Sequence, residues 1–487
     1  MKLGLICDSH MPYNSESAQW QFCTRAAAQF KEDNISDVIT LGDITSFGEP
    51  DALCAYFDMF ASFNHYSVLG NSDARDKATA GVLCEKCPGF EFYIGNRKCL
   101  GINTAYAKIN EADKKRLEQL NDGDIVVMHH PVERLFDENC RAFMLQLCEQ
   151  KALTILCAHL HRKLSGMIGK SKYFGIRAID PDKSFGDWPC VTYFDSDTDE
   201  ISEVLLKLPK ETLWSVREKF GISCVDNHRD VAYAAANKVY GVELRCNGKG
   251  WEPDFTLLPV IEEWRKSGGG YLSVHMPNLY WRDGGLSDTE VWKKAVEYAV
   301  AVDANGLTIH PPRVKLKDLS EGHDKLLEQY IYVVENVPES VNIGIENLHM
   351  SKGEDPEDRA FGYIPSEVAS WIDELNAATK RKNPIGHTLD VGHARNNGAL
   401  ASRYPISRWY ELMGKRTVAY HIHQVIQKEE GLKNHNPIEA WFGPQISYVS
   451  FFHNWESGLI NPVPVFLEVK GAENYEKSIQ AFNRAFK

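Results

Sequence analysis

Five short motifs in the first third of the sequence contain residue types that bind divalent metals. In chain order they are Asp8-Ser9-His10, Gly42-Asp43, Gly70-Asn71-Ser72-Asp73, His129-His130-Pro131 and Ala158-His159-Leu160-His161. Carboxylate and imidazole groups together suit Mn, Fe or Zn better than Ca. Two such cations a few ångströms apart can clamp a phosphate group and activate a water molecule for in-line attack. The motifs therefore predict a two-metal site.

Most of these motifs directly follow an apolar run that has the length of one β-strand. The runs are residues 3–7, 38–41, 125–128 and 153–157. Open α/β sheets bind their ligands at the carboxyl ends of the strands. We therefore expect the motifs to meet at the edge where these strands end.

The order of the motifs resembles that of the calcineurin-like metallophosphoesterases, over roughly residues 1–208. The resemblance implies a four-layer α/β sandwich that holds two divalent metals, Mn, Fe or Zn. It implies Asp43 and Asn71 as catalytic residues as well as ligands. The implied ligands are Asp8, His10 and His161 for one metal, Asn71, His129 and His159 for the other, and Asp43 as the bridge between both.

The third motif departs from this family at Ser72, where the family has a histidine that can protonate the leaving oxygen. The small bacterial phosphodiesterases of the superfamily also lack that histidine. Either the leaving group departs unaided, or another group such as His130 or His65 protonates it. His129 and His130 follow the same strand, and only one can point inward from an extended chain. His129 matches the family's ligand position, and His130 is the alternative.

From about residue 218 to residue 487, short apolar segments alternate with amphipathic helical segments. The apolar segments are residues 220–225, 242–245, 271–275, 307–310, 341–346, 385–390, 418–421 and 465–469. Eight strands with helical crossovers predict a closed parallel barrel, the (β/α)8 fold, whose functional residues lie at the carboxyl ends of the strands. Six consecutive strands end in ligand-type residues: His275, His310, Glu346, Asp390, His421 and Glu468.

This arrangement resembles the xylose-isomerase-like barrels, which include sugar isomerases, epimerases and the endonuclease IV type of apurinic-site nuclease. The nuclease branch implies three zinc ions. The implied ligands are His275, His310 and Glu346 for the first metal, Glu346, Asp390, His421 and Glu468 for the second, and His393 with a loop pair ending in His435 for the third. We therefore expect one to three Zn or Mn ions in the barrel.

The loop pair departs from the nuclease pattern, because Lys433 replaces a ligand carboxylate. A fixed ammonium charge opposes a third cation, so the sequence leaves a hydrolase and a sugar-phosphate isomerase both open. His423 shares a strand face with His421 and is a catalytic candidate, in contact with a ligand or the substrate. Glu243 is either an interior barrel residue or a substrate contact.

The whole chain has 487 residues, which suits two domains, and we expect a linker at 209–217 between domains 1–208 and 218–487. The formal net charge of -13 disfavours tight non-specific binding of polyanions. A phosphorylated small molecule or a nucleic acid is the expected substrate. The start of the chain lacks a secretion signal and no apolar run could cross a bilayer, so we expect a cytoplasmic protein with free thiols and no membrane association. The oligomeric state is left open.

Overall fold

The structure is a computed structural model that describes residues 1–76, 87, 89–246, 251–443 and 445–487. The chain forms two compact units. The first unit comprises residues 1–207 and 447–450, and the second comprises residues 208–446 and 451–487. Within the described ranges, no helix is both long and apolar enough to span a membrane. The described cysteines form no disulfide, as expected.

The first unit contains two mixed β-sheets. Its strands are β1 (Lys2–Ile6), β2 (Asp37–Leu41), β3 (Asn64–Val68), β4 (Phe90–Ile94), β5 (Arg97–Gly101), β6 (Ile125–Val127), β7 (Thr154–Cys157), β8 (Leu164–Ile168), β9 (Ser171–Gly175), β10 (Cys190–Asp195) and β11 (Glu200–Leu205). The strand orders are β11-β10-β1-β2-β3 and β4-β5-β6-β7-β9-β8. Strands β1 to β3 are parallel, as are β5, β6, β7 and β9.

The two sheets pack face to face through buried apolar side chains. Leu5 and Ile39 of the first sheet belong to the same core as Ile125 and Leu156 of the second. Helices cover the two outer faces, which gives the expected four layers. The described helices are Ala18–Glu32 and Pro50–Phe60 for the first sheet, and Glu111–Glu118 and Glu138–Gln150 for the second.

The helix starts follow from local sequence. Ser17 caps the helix Ala18–Glu32, because its hydroxyl accepts from the backbone N–H of Trp20. Asp137 caps Glu138–Gln150 by accepting from two backbone N–H groups. Such caps satisfy amide groups that have no partner inside the helix. The helix Ala18–Glu32 then buries Phe30, whose ring lies 5.7 Å from that of Tyr193 on β10.

The second unit contains the predicted closed barrel of eight parallel strands. Its strands and the short hairpin strands between them are β12 (Phe220–Ser223), β13 (Gly241–Arg245), β14 (Tyr271–His275), β15 (Tyr280–Arg282), β16 (Gly285–Ser287), β17 (Gly306–Ile309), β18 (Asn342–Glu346), β19 (Gly386–Asp390), β20 (Thr417–Ile422), β21 (Gln424–Lys428), β22 (Gly431–Asn436) and β23 (Val465–Leu467). The barrel order is β12-β13-β14-β17-β18-β19-β20-β23, and β23 pairs with β12 to close it.

Helices connect the barrel strands. Those beyond residue 208 are Lys210–Arg217, Asn227–Ala236, Leu258–Lys266, Thr289–Ala301, Leu319–Asn336, Pro365–Thr379, Val391–Arg395, Leu400–Arg403, Ile406–Met413, Val449–Glu456 and Ala472–Ala485. The first of them lies within the expected linker, residues 209–217. Leu213 and Val216 on this helix are buried, so the segment is ordered helix.

Candidate metal centres

Four predicted ligands of the first unit converge in one cluster at the carboxyl ends of β1, β2 and β7. Ligand atoms of Asp8, His10, Asp43 and His161 all lie within 4.8 Å of one another. His10 Nε2 is 3.2 Å from Asp43 Oδ2, and His161 Nε2 is 3.5 Å from Asp8 Oδ1. Burial opposes ionisation of Asp8, but the His161 and His129 charges lower the pKa of its carboxyl to about 2. These four residues can therefore bind one cation.

A second cluster lies beside it. Ligand atoms of His129, His130 and His159 also lie within 4.8 Å of one another. His129 Nδ1 donates to the carbonyl of Leu41 at 2.8 Å, so in the neutral ring Nε2 carries the lone pair. That Nε2 faces Asn71 Oδ1 at 3.2 Å. In the neutral ring both atoms offer lone pairs, which is the donor pair that a divalent metal binds.

Asp43 connects the two clusters. Its Oδ2 faces His10, while its Oδ1 lies 3.5 Å from His129 Nε2 and accepts from the Ser72 N–H at 2.8 Å. A side chain at Gly70 would collide with the Asp43 carboxylate. The glycine of the third motif therefore leaves room for the Asp43 carboxylate between the two clusters.

Five ligand residues of the first unit have left-handed backbone conformations. Their φ angles are 48° for Asp8, 42° for His10, 51° for Asp43, 70° for His159 and 56° for His161. Residues other than glycine rarely adopt positive φ, and strained backbone of this kind concentrates at functional sites. The abrupt turn at each strand end aims successive side chains into the same small volume.

Asp180 supports this centre, although no motif pointed to it. Its Oδ2 lies 3.2 Å from His10 Nδ1, which leaves the opposite ring nitrogen to face Asp43. The two carboxylates raise the pKa of His10 to about 9, against the opposing effects of burial and of Lys183. The sequence around Asp180 is typical of a turn, and only the fold brings it beside His10. A carboxylate behind a ligating imidazole fixes the ring and raises its basicity.

One proposed replacement for the missing histidine is wrong. His65 lies near the amino end of β3, whereas the ligands follow the carboxyl ends. Its Nε2 is 2.8 Å from Thr40 Oγ1, and its ring packs against Phe57 and Phe60. Burial lowers the pKa of His65 to about 4. It therefore packs against the helix Pro50–Phe60, away from the ligands.

His130 lies at the site beside His129. The sequence predicts that only one of the two rings points inward, but both lie at the centre. The rings of His129 and His130 are 4.8 Å apart, and both are buried. The backbone N–H of His130 donates to Thr104 Oγ1 at 3.0 Å. Burial and the neighbouring imidazoles lower the pKa of His130 to about 3, which favours the neutral ring that a metal requires.

In the barrel, Glu346 lies at the centre of the predicted ligands. Its Oε2 is 3.1 Å from His275 Nε2 and 3.2 Å from His310 Nε2. Its Oε1 is 3.3 Å from His421 Nδ1 and 3.4 Å from His393 Nδ1. Burial opposes ionisation of Glu346, but the imidazoles hold the pKa of its carboxyl well below the ordinary value. One carboxylate can thus bridge two cations.

Three barrel clusters have the donor sets that divalent metals require. Two of them share Glu346 and His421. The clusters are His275, Glu346 and His421; Glu346, Asp390, His421 and Glu468; and His393, His423 and His435. In each cluster the ligand atoms lie within 4.8 Å of one another, and most of the residues are buried. Buried charges of this kind are stable when they are paired or bind a metal.

Glu243 lies behind His421, inside the barrel. Its carboxylate oxygens are 3.0 Å and 3.2 Å from His421 Nε2. Glu243 Oε1 also accepts from Ser273 Oγ at 3.1 Å and Thr308 Oγ1 at 2.9 Å. When the His421 ring is neutral, with Nε2–H directed to Glu243, its Nδ1 lone pair points to Glu346 and the metal clusters. Of the two roles considered for Glu243, the structure supports an interior one that orients a ligand.

The third barrel cluster differs from the expectation based on Lys433. The ammonium of Lys433 pairs with Glu430 at 3.0 Å, and its side chain is 48% exposed. His423 instead lies with His393 and His435, with ring centroids 6.0 Å and 4.6 Å away respectively. Three imidazoles therefore meet where the resemblance implies two imidazoles and a carboxylate. His423 also places Nε2 3.2 Å from Asp390 Oδ1, which links this cluster to its neighbour.

No family model matches the chain, and no curated protein matches it. The similar solved structures include the following three. A D-tagatose 3-epimerase-like protein has 18% sequence identity over 55% of this chain and 96% of that chain, with a TM-score of 0.40. Endonuclease IV from Thermus thermophilus has 17% identity over 55% of this chain and 98% of that chain, with a TM-score of 0.37. A novel archaeal phosphodiesterase has 13% identity over 42% of this chain and 100% of that chain, with a TM-score of 0.28. At these TM-scores the similarities carry no weight in assigning a reaction.

Proposed function

We propose that this chain is a metal-dependent phosphoester hydrolase with two separate metal centres, one in each unit. Its substrates are phosphorylated compounds such as a nucleotide, a sugar phosphate or the end of a nucleic acid. The barrel then acts as a second, nuclease-like phosphoesterase. The observation that carries the proposal is the position of Asp43, whose two oxygens face two adjoining ligand clusters.

In the first unit, Asp8, His10, Asp43 and His161 would hold one divalent metal, and Asn71, His129 and His159 would hold the other, with Asp43 shared. When bound, the pair of metals supplies positive charge for a phosphate group and acidifies a water molecule. The residues of the chain orient the ligands. Asp180 fixes the ring of His10, the Leu41 carbonyl fixes His129, and the Ser72 N–H fixes Asp43.

Ser72 itself is fully buried, and its hydroxyl has no hydrogen-bond partner within the described part of the chain. A serine hydroxyl cannot donate a proton to a leaving group near neutral pH. The chain therefore favours phosphoesters whose leaving group departs as a stable anion, or another residue protonates the leaving group. Activated aryl esters are accordingly the substrates of choice for a first assay.

In the barrel, the grouping of His275 and His310 around Glu346 favours hydrolysis over isomerisation. Two adjoining cations suit a phosphate group, whereas a sugar isomerase needs its metal to polarise carbonyl or hydroxyl oxygens. The isomerase is the second candidate, and the cluster of Asp390, His421 and Glu468 with Glu346 favours it, since these four residues can hold a single metal without the others.

The decisive experiment compares Asp43→Asn with Asp37→Asn in the full-length protein. Both aspartates belong to the same strand region, but Asp37 lies at its amino end and accepts from Asn64 Nδ2. Hydrolysis of p-nitrophenyl phosphate and of bis(p-nitrophenyl) phosphate is measured after loading with Mn or Zn. We expect Asp43→Asn to abolish hydrolysis by the first unit and Asp37→Asn to retain it.

Retention of full activity by Asp43→Asn would refute the assignment of the first unit. Stoichiometric metal in wild-type protein without hydrolysis of either ester would favour a non-catalytic binding module instead. For the barrel, Glu346→Gln is assayed on an oligonucleotide with an abasic site and on sugar phosphates. Loss of cleavage supports the nuclease-like reaction, and loss of isomerisation supports the second candidate.

A further inference from the structure

The loop from residue 180 to residue 185 borders the first metal cluster of the first unit. The backbone N–H of Asp180 donates to the Asp8 carbonyl at 3.2 Å, which fixes the start of the loop beside a ligand. The ring of Phe185 lies 6.1 Å from that of His161, which places the end of the loop against another ligand. Lys183 lies between these two anchors.

The ammonium of Lys183 lies near the centre and forms a long ion pair with Asp180. Its Nζ lies 3.8 Å from Asp180 Oδ2, beyond hydrogen-bond distance. That carboxylate already binds His10 Nδ1 at 3.2 Å and Gln19 Nε2 at 3.1 Å. Among the described residues, no acceptor lies within hydrogen-bond distance of the Lys183 ammonium. Its side chain is 33% exposed, so a ligand can reach it.

The positive charge of Lys183 lies beside a predicted metal ligand. Its Nζ is 3.8 Å from Asp180 Oδ2, and the same oxygen lies 3.2 Å from His10 Nδ1. A cation placed beside metal ligands is unfavourable unless an anion joins the site. Phosphate is the anion that the proposed function supplies.

We infer that Lys183 is a phosphate-binding residue of the first unit, whose ammonium holds a non-bridging oxygen of the phosphate group. The inference rests on the proposed function for the identity of the anion. Lysine binds phosphate as a compact charge on a flexible stem, and charge-assisted hydrogen bonds are the strong ones. Ser72 stands where the resembling family has a histidine that can carry positive charge. Lys183 supplies positive charge from a different segment of the chain.

The test uses full-length protein loaded with metal, and inorganic phosphate as the probe. Isothermal titration calorimetry measures phosphate affinity, and the binding that Asp43→Asn removes identifies the first unit. Metal content is measured for every variant, so that lost phosphate affinity cannot be due to lost metal. Lys183→Met and Lys183→Gln remove the charge, and Lys183→Arg keeps it. Lys163→Met is the matched control, because Lys163 is 48% exposed and pairs with Glu203.

We expect Lys183→Met and Lys183→Gln to weaken phosphate binding at this site at least tenfold, or about 1.4 kcal/mol, with unchanged metal content. Lys183→Arg should remain within about threefold of wild type on the same scale, and Lys163→Met should match wild type. Wild-type affinity in Lys183→Met at full metal content would overturn the inference. The absence of any phosphate binding that depends on Asp43 would also overturn it. Phosphate binding that depends on Lys183 in a protein that hydrolyses nothing would support the inference while the proposed function fails.

Discussion

The substitution Glu346→Gln tests the organisation of the barrel centre most directly. Glu346 is fully buried, and its two oxygens face four imidazoles at 3.1 to 3.4 Å. Glutamine has nearly the same volume, so the change removes charge without leaving a cavity. Burial and the surrounding carboxylates act in opposite directions on His421, and the carboxylates raise its pKa well above the ordinary value. In metal-free protein, Glu346→Gln therefore removes a buried counter-ion.

Removing one partner of a buried ion pair costs roughly 3 to 5 kcal/mol. For a domain of this size, each kcal/mol corresponds to about 2 °C of melting temperature, so the metal-free barrel should melt about 6 to 10 °C lower. In metal-loaded protein, Glu346→Gln removes the shared ligand of two clusters. We therefore expect bound metal to fall by about two ions per chain, while the metals of the first unit remain.

Differential scanning calorimetry in the presence of EDTA measures the melting temperature of the metal-free barrel. Elemental analysis of metal-loaded protein measures the number of bound metal ions. Glu335→Gln is the matched control. Glu335 is an exposed residue of the helix Leu319–Asn336, so this substitution makes the same chemical change away from the centre. The reasoning is refuted if Glu346→Gln melts like wild type in EDTA and retains the full metal content.

Two further predictions concern residues outside the ligand sets. Glu243→Gln should weaken metal binding in the barrel about 10- to 100-fold, because Glu243 accepts the Nε2–H of His421 and so orients this ligand. Competition with a chelator measures the metal affinity. An unchanged affinity would contradict the role given to Glu243. His323 bonds to Asp324 and to Glu374 on the next helix, and these contacts raise its pKa. Its stabilising effect, about 0.5 kcal/mol, is fully present below the unfolded-state pKa near 6.5 and is lost as the pH rises through the higher folded-state pKa. His323→Gln should accordingly lower the melting temperature at pH 6 and leave it unchanged at pH 9.5; an equal effect at both pH values would show that the histidine charge is not involved.

The sequence could identify the ligand types because their positions follow from strand geometry. Parallel strands end at a common edge, so a polar residue directly after an apolar run lies at that edge. Asp8 and Asp43 follow β1 and β2 in this way, and Glu346 and Asp390 end β18 and β19. The predicted closed barrel is confirmed. The sequence could predict it because regular alternation of strands and helices is compatible with few other folds.

The sequence could not identify the residues that act through another residue. Asp180 lies 170 positions from His10 in the chain and Glu243 lies on a strand remote from His421, so no local pattern links them. Nor could it separate His65 from His130 as a candidate acid. Both are histidines near β-strands, and only the direction in which the strands run assigns one to the core and the other to the site.

By itself, then, the sequence determined the two α/β architectures and the chemical types of the ligands, because strand periodicity and strand ends are local properties. The tertiary structure decided which nitrogen of each imidazole faces a cluster, and that His423 takes the place beside His393 that Lys433 leaves. It also decided that Lys183 approaches the first centre through a long ion pair with Asp180. These outcomes depend on side-chain directions in turns after the strands, where left-handed backbone conformations at Asp8, His10 and Asp43 abolish the simple alternation of an extended chain.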